Sequence, residues 1–114
     1  MSDKPRVLIY GASGYTGKLV AESLAQRDIP FIFAGRNRER LVSGLKVVEE
    51  RFGGPVKSEI GVASNTVEEL LPLLQDVDVV INVAGPFMQI AWPVVAAALE
   101  ANCHYIDTTG EQDW

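Results

Sequence analysis

A chain of 114 residues with 47% apolar and 22% charged side chains has the composition of one ordinary globular domain, able to bury about two-thirds of its unfolded surface. A net charge of −5 and a pI near 4.8 exclude nucleic-acid binding through bulk electrostatics. No apolar run has the length of a membrane span, the residues before Val7 lack the pattern of a secretory leader, and the single cysteine points to a reducing, cytoplasmic setting.

Val7-Leu8-Ile9-Tyr10 reads as a buried strand, and Gly11-Ala12-Ser13-Gly14-Tyr15-Thr16-Gly17 follows it as a glycine-rich turn. Gly17, Val20, Ala21 and Leu24 then recur at helical spacing, which predicts an amphipathic helix ending near residues 27–30. A strand, a turn without side chains and a helix suit a nucleotide diphosphate, because backbone N–H groups close on phosphate oxygens at the positive end of the helix dipole. Gly11 is expected to permit the sharp exit from the strand, Gly14 the close approach of pyrophosphate, and Gly17 the packing of helix on strand. The alternative, that three glycines only punctuate a turn, fits the flanking strand and helix less well.

Phe31-Ile32-Phe33-Ala34 reads as a second buried strand, ending in Gly35-Arg36-Asn37. In a dinucleotide-binding βαβ unit this end lies beside the adenosine ribose, about twenty residues beyond the glycines. An acidic residue there accepts the ribose hydroxyls and repels a 2′-phosphate. Here Gly35 leaves space and Arg36 offers a forked donor, which favours NADP(H) over NAD(H). A solvated surface charge is the other reading of Arg36; Arg38 and Arg40 read as ordinary surface residues. Asn37 is placed to cap a second helix with core face Leu41, Leu45, Val48 and Phe52, stopped by Gly53-Gly54-Pro55.

Residues 56–63 read as a weaker strand toward the sheet edge, with Val56, Ser58, Ile60 and Val62 on one side. Ala63-Ser64-Asn65 either approaches the adenine or is a plain loop. Thr66 and Glu69 predict a capping box for a short helix that Pro72 kinks or breaks. Residues 77–84 are the clearest central strand, almost continuously apolar, and run into Gly85-Pro86-Phe87. There Ala84 and Gly85 would let a cofactor pass close to backbone, with Pro86 stiffening the loop and Phe87 packing on cofactor or substrate, unless Gly85-Pro86 is only a turn. Pro93 is expected to open a fourth helix with Val94, Val95, Ala98 and Leu99 inward. Cys103-His104-Tyr105-Ile106 reads as a fifth strand. Cys103 is expected in the core, His104 has no metal-ligand spacing, no metal is expected, and Asp107, Thr109 and Glu111 line the crevice without an assigned role.

Strand and helix repeated four times with a closing strand predict an α/β, Rossmann-type doubly wound parallel sheet of five strands, order 3-2-1-4-5, with helices on both faces. The stretches 7–17, 34–37, 79–87 and 105–111, taken together, resemble the amino-terminal domain of the saccharopine dehydrogenase-like oxidoreductases, a group that includes mycobacterial trans-acting enoyl reductases. That resemblance implies NADP(H) held along Gly11, Ala12, Ser13, Gly14, Tyr15, Thr16 and Gly17 and by Arg36 and Asn37, with Ala84, Gly85, Pro86 and Phe87 beside it. It also implies a longer parent protein, in which a further domain meets a small-molecule or lipid-linked substrate. On that reading the chain is a nucleotide-binding fragment whose catalytic residues are not assigned.

Three functions follow. The first is the NADP-binding domain of a hydride-transferring oxidoreductase acting on a C=N, C=O or C=C bond, inactive by itself. The second is an NADP-binding sensor without turnover. The third is a short-chain dehydrogenase-like reductase, suggested by Asn82-Val83-Ala84-Gly85. Ending after a fifth strand would also leave a sheet edge through which the chain self-associates.

Overall fold

The computed structural model describes residues 5–84 and 88–107. In chain order the elements are β1 (Val7–Tyr10), α1 (Tyr15–Gln26), β2 (Phe31–Gly35), α2 (Arg38–Phe52), β3 (Ser58–Val62), α3 (Val67–Leu73), β4 (Val79–Asn82), α4 (Met88–Glu100) and β5 (His104–Asp107). The strands form one parallel sheet in the order β3-β2-β1-β4-β5, as the strand-helix alternation predicts. Val7 stands opposite Phe31 and Val79, and Tyr10 opposite Ala34 and Asn82, so β1, β2 and β4 finish side by side.

Alternation along β1 assigns the two cores. Ile9 points to the face where Ala12, Ala21, Phe31, Phe33, Leu41 and Val48 gather beneath α1 and α2. Leu8 and Tyr10 point to the opposite face, with Leu70, Leu74, Val80, Val94, Ala97 and Ala98 from α3, α4 and β4. Each fully buried Leu, Ile or Phe contributes roughly 1.5–3 kcal/mol, so both faces of the central strand are needed to hold it.

Helix ends follow local chemistry. The Asn37 side chain accepts the Arg40 N–H at 3.0 Å and starts α2; Gly53, at φ 96°, ends it and donates to the Glu49 carbonyl. Thr66 caps α3 through the Glu69 N–H, but Glu69 does not complete the box. Its carboxylate reaches back to the Ser64 N–H at 2.7 Å, because the Thr66 N–H already donates to the Ser64 carbonyl. Pro72 lies in the last turn of α3, which stops at Leu73.

Several expectations need correction. Pro93 lies inside α4, because the helix begins at Met88; a proline there costs the hydrogen bond that its missing N–H would make. That earlier start sets the phase: Val94, Ala97 and Ala98 turn inward and Leu99 is 71% exposed. Phe52 is exposed in the last turn of α2. In β3 the buried residue is Gly61, while Val62 ends the strand exposed; Val56 precedes the strand, its N–H held by the Glu49 carboxylate. Cys103 precedes β5, half-buried, its thiol donating to the Val77 carbonyl.

Two glycines are fixed by close packing of backbone on backbone. Gly11 has φ 82°, and a Cβ there would fall 2.3 Å from the Ala84 Cα. A Cβ on Gly17 would fall 2.5 Å from the Ala12 Cα and carbonyl oxygen. Neither neighbour is a flexible side-chain tip, so neither yields. Further out, the Tyr10 hydroxyl donates to the Ala63 carbonyl at 2.9 Å, tying the end of β1 to the loop after β3.

Gly11→Ala is therefore expected to lower stability by about 3 kcal/mol or more, and Gly17→Ala by about 2 kcal/mol, as midpoint shifts in urea unfolding. Tyr10→Phe leaves the buried Ala63 carbonyl without its donor and is expected to cost about 1 kcal/mol in the same measurement.

Candidate functional site

A cleft of about 530 Å³ opens where β1, β2 and β4 end together, the place at which an open parallel sheet reverses its winding. Tyr10, Gly11, Ser13 and Gly14 form its floor, Gly35, Arg36, Asn37 and Arg40 one wall, Val83 and Ala84 the other, and Asn65 closes the far end. No carboxylate, histidine or thiol stands among these residues. Two guanidinium side chains do, both on the β2 side, so the cleft favours an anionic ligand in an acidic chain.

The floor divides its backbone groups between structure and ligand. The amides of Gly11 and Ala12 both donate to the Ala34 carbonyl at 2.9 Å, which pins the turn to β2. Those two amides face the protein. In the first turn of α1 the amides of Tyr15, Thr16 and Gly17 have no intrahelical acceptor. Gly14, the N-cap, supplies no side-chain cap, and its exposed backbone leaves that helix end open to the cleft. The dipole of α1 adds partial positive charge at the same point.

Gly14 differs from its neighbours in a way the sequence does not show. A Cβ on it would lie 3.6 Å from the Gly11 carbonyl, an ordinary contact, and its backbone (φ −77°, ψ 177°) is one that any residue adopts. Nothing in the packing among the described residues demands a glycine there.

Arg36 and Asn37 line the cleft as expected, and Ala84 lies against the turn. Ala12 is buried beneath the floor, whereas Tyr15 and Thr16 are exposed on the first turn of α1, outside the walls. Gly85, Pro86 and Phe87 fall outside the described residues, as do Thr109 and Glu111. Of the segment left open between adenine contact and plain loop, Asn65 reaches the cleft; Ala63 is buried below it and Ser64 is engaged with Glu69.

Arg40, an ordinary surface residue by its sequence, lines the cleft. The signal lay in Asn37. A cap there puts Arg40 in the first turn of α2, three residues beyond the cap and beside Gly35. Tyr10, a strand residue by its sequence, also lines the cleft. Its phenol is pushed above its usual range by burial, with the Arg36 charge opposing and Glu69 adding. Burial likewise raises the Cys103 thiol, helped by Asp78, which works against thiolate character. Among the described residues no group of side chains has the makings of a metal site, and no helix is long and apolar enough to cross a membrane.

Comparison with known proteins agrees with this geometry. A lipid droplet localized protein of Caenorhabditis elegans is 32% identical over 114 residues, which cover 95% of this chain and 27% of that protein. The trans-acting enoyl reductase of Mycobacterium ulcerans is 34% identical over 113 residues, covering 92% of this chain and 25% of that one. The chain thus spans only a minor part of the length of these relatives. Among solved structures, the apo form of AtPrR2 shares the fold with a TM-score of 0.73 at 22% identity, over 96% of this chain and 40% of that chain. The model of the saccharopine dehydrogenase NADP binding domain matches residues 7–113. From its first strand to the residues beyond its last, the chain belongs to the NADP-binding domain family of the saccharopine dehydrogenase-like oxidoreductases.

Proposed function

We propose that the chain prefers NADP(H) to NAD(H), holds the pyrophosphate over Gly14 and the first turn of α1, and reads the 2′-phosphate with Arg36. Gly14 carries the pyrophosphate assignment. Gly11 and Gly17 are accounted for by their packing, so of the three glycines of the turn Gly14, which also lines the cleft, is the one that packing among the described residues does not require. Arg36 supports the choice of coenzyme, since the end of β2 presents Gly35 and a guanidinium where NAD-selective sites place a carboxylate. Arg40 extends the same basic wall.

The cofactor, when bound, supplies the hydride; the chain binds it, orients it and shields it. We assign the parent activity to hydride transfer to or from a C=N, C=O or C=C bond, and the name of the Mycobacterium ulcerans relative supports an enoyl group, small or lipid-linked, as substrate. A cleft wall without an acid, a base or a thiol among the described residues supports binding without turnover by this chain alone. The half-buried free thiol of Cys103 fits a cytoplasmic setting. The edge of β5, where Ile106 is 53% exposed, supports self-association.

Calorimetric titration tests the assignment. Arg36→Ala is expected to weaken NADPH by about 1.5–3 kcal/mol while leaving NADH nearly unchanged, and equal losses for the two would overturn the coenzyme preference. Gly14→Ala is expected to unfold within about 0.5 kcal/mol of the parent chain yet to bind NADPH at least about tenfold more weakly. Unchanged affinity would remove the pyrophosphate from that position. In the presence of enoyl, keto and imino acceptors the chain is expected to bind NADPH without oxidising it, as followed by nicotinamide absorbance.

A further inference from the structure

Asn82 is the one buried side chain among the described residues that is neither apolar nor aromatic, 1% exposed at the end of β4 in a run of valine and isoleucine. Burying a carboxamide is costly unless both of its ends are bonded, and both are. Its Nδ2 donates to the Tyr105 hydroxyl on β5 at 2.9 Å, and its Oδ1 accepts from the backbone N–H of Ala84 at 3.0 Å.

The second bond lies where the chain leaves the sheet. The Val83 N–H still donates to the Tyr10 carbonyl as the last rung beside β1. The next amide, that of Ala84, has passed the end of the ladder, and Asn82 takes it in an Asx-type turn. Ala84 is thereby fixed on two sides, by Asn82 from behind and by the close approach of Gly11 in front. Val83 and Ala84 form the β4 wall of the cleft, opposite the β2 wall that carries Arg36. A dinucleotide whose adenosine end lies at β2 crosses the floor toward β4, so this wall meets the nicotinamide half.

We propose that Asn82, oriented by Tyr105, is a positioning residue that sets the nicotinamide-side wall of the cleft through the Ala84 backbone. The proposal rests on the NADP(H) reading above. It predicts an effect that discriminates between the two halves of the ligand, which a side chain that merely stabilised the sheet would not produce.

The test compares titrations of NADPH and of 2′,5′-ADP, which carries only the adenosine end, with amide hydrogen exchange at Ala84 read by NMR. In Asn82→Ala the affinity for NADPH is expected to fall about tenfold, that for 2′,5′-ADP to stay within about twofold, and the Ala84 amide to exchange faster. Asn82→Asp keeps an acceptor oxygen and is expected to restore slow Ala84 exchange and most of the NADPH affinity. Tyr105→Phe, which removes only the orienting hydroxyl, is expected to fall between and serves if Asn82→Ala does not fold. Parallel loss of both ligands, or wild-type NADPH affinity in Tyr105→Phe, would overturn the proposal. Failure of the NADP(H) reading is distinguishable, because the unmodified chain would then bind neither ligand.

Discussion

The grip on one backbone turn governs the rest of the molecule. The Ala34 carbonyl at the end of β2 accepts both the Gly11 and the Ala12 amide, Ala84 presses on Gly11 from the side of β4, and Ala12 lies directly under Gly17. The turn is held from both neighbouring strands and from its own helix. A turn held on three sides is kept in one conformation, with Gly14 at the start of α1 facing the cleft. A floor fixed in this way would cost little ordering on ligand binding, which is what the proposed pyrophosphate site requires of a glycine-rich turn.

The same economy recurs at the ends of β2, β3 and β4, where one or two polar side chains fix a loop that the sheet no longer pairs. Asn37 fixes the entry to α2 and so the place of Arg40. The Tyr10 hydroxyl, with Glu69 on the Ser64 amide, fixes the loop after β3 that ends in Asn65. Asn82 fixes Ala84. The apolar strands determine where these loops start, and the side-chain contacts determine where they go.

Much of this was legible in the sequence because it rests on local rules. An apolar run followed by glycines, the capping asparagine at 37, the proline that ends α3 and the alternation of strand with helix each act within a few residues, and the right-handed crossover then leaves the order 3-2-1-4-5. The errors came where tertiary packing chose between equal local options. α4 is apolar nearly throughout, so its pattern does not fix its phase, and Pro93 looked like a first residue when the sheet selected Val94, Ala97 and Ala98 as the buried stripe. Val62 and Phe52 sit at element ends, where apolar character does not ensure burial. In the site, the glycine spacing marked the floor, but which amides face the protein depends on the Ala34 carbonyl across the sheet. The tethers from Tyr10 to Ala63 and from Tyr105 to Asn82 span 53 and 23 residues, beyond the reach of any local pattern.

Charge supplies the last constraint. With ten basic and fifteen acidic residues the chain as a whole repels an anionic ligand. Screening at physiological salt confines exposed charges to a range of about 8 Å, so the average charge matters less than what lies within that distance of the ligand. Among the described residues of the cleft walls stand Arg36 and Arg40 with no carboxylate, and the start of α1 adds its dipole from below. The basic side chains are concentrated on the β2 wall while the β4 wall is small, apolar backbone. The cleft is therefore polarised along its length: one end suits a group bearing negative charge and the other a flat ring packed on Val83 and Ala84. On the proposed reading, a dinucleotide with a phosphorylated ribose would fit that gradient in one direction, its phosphorylated end toward Arg36.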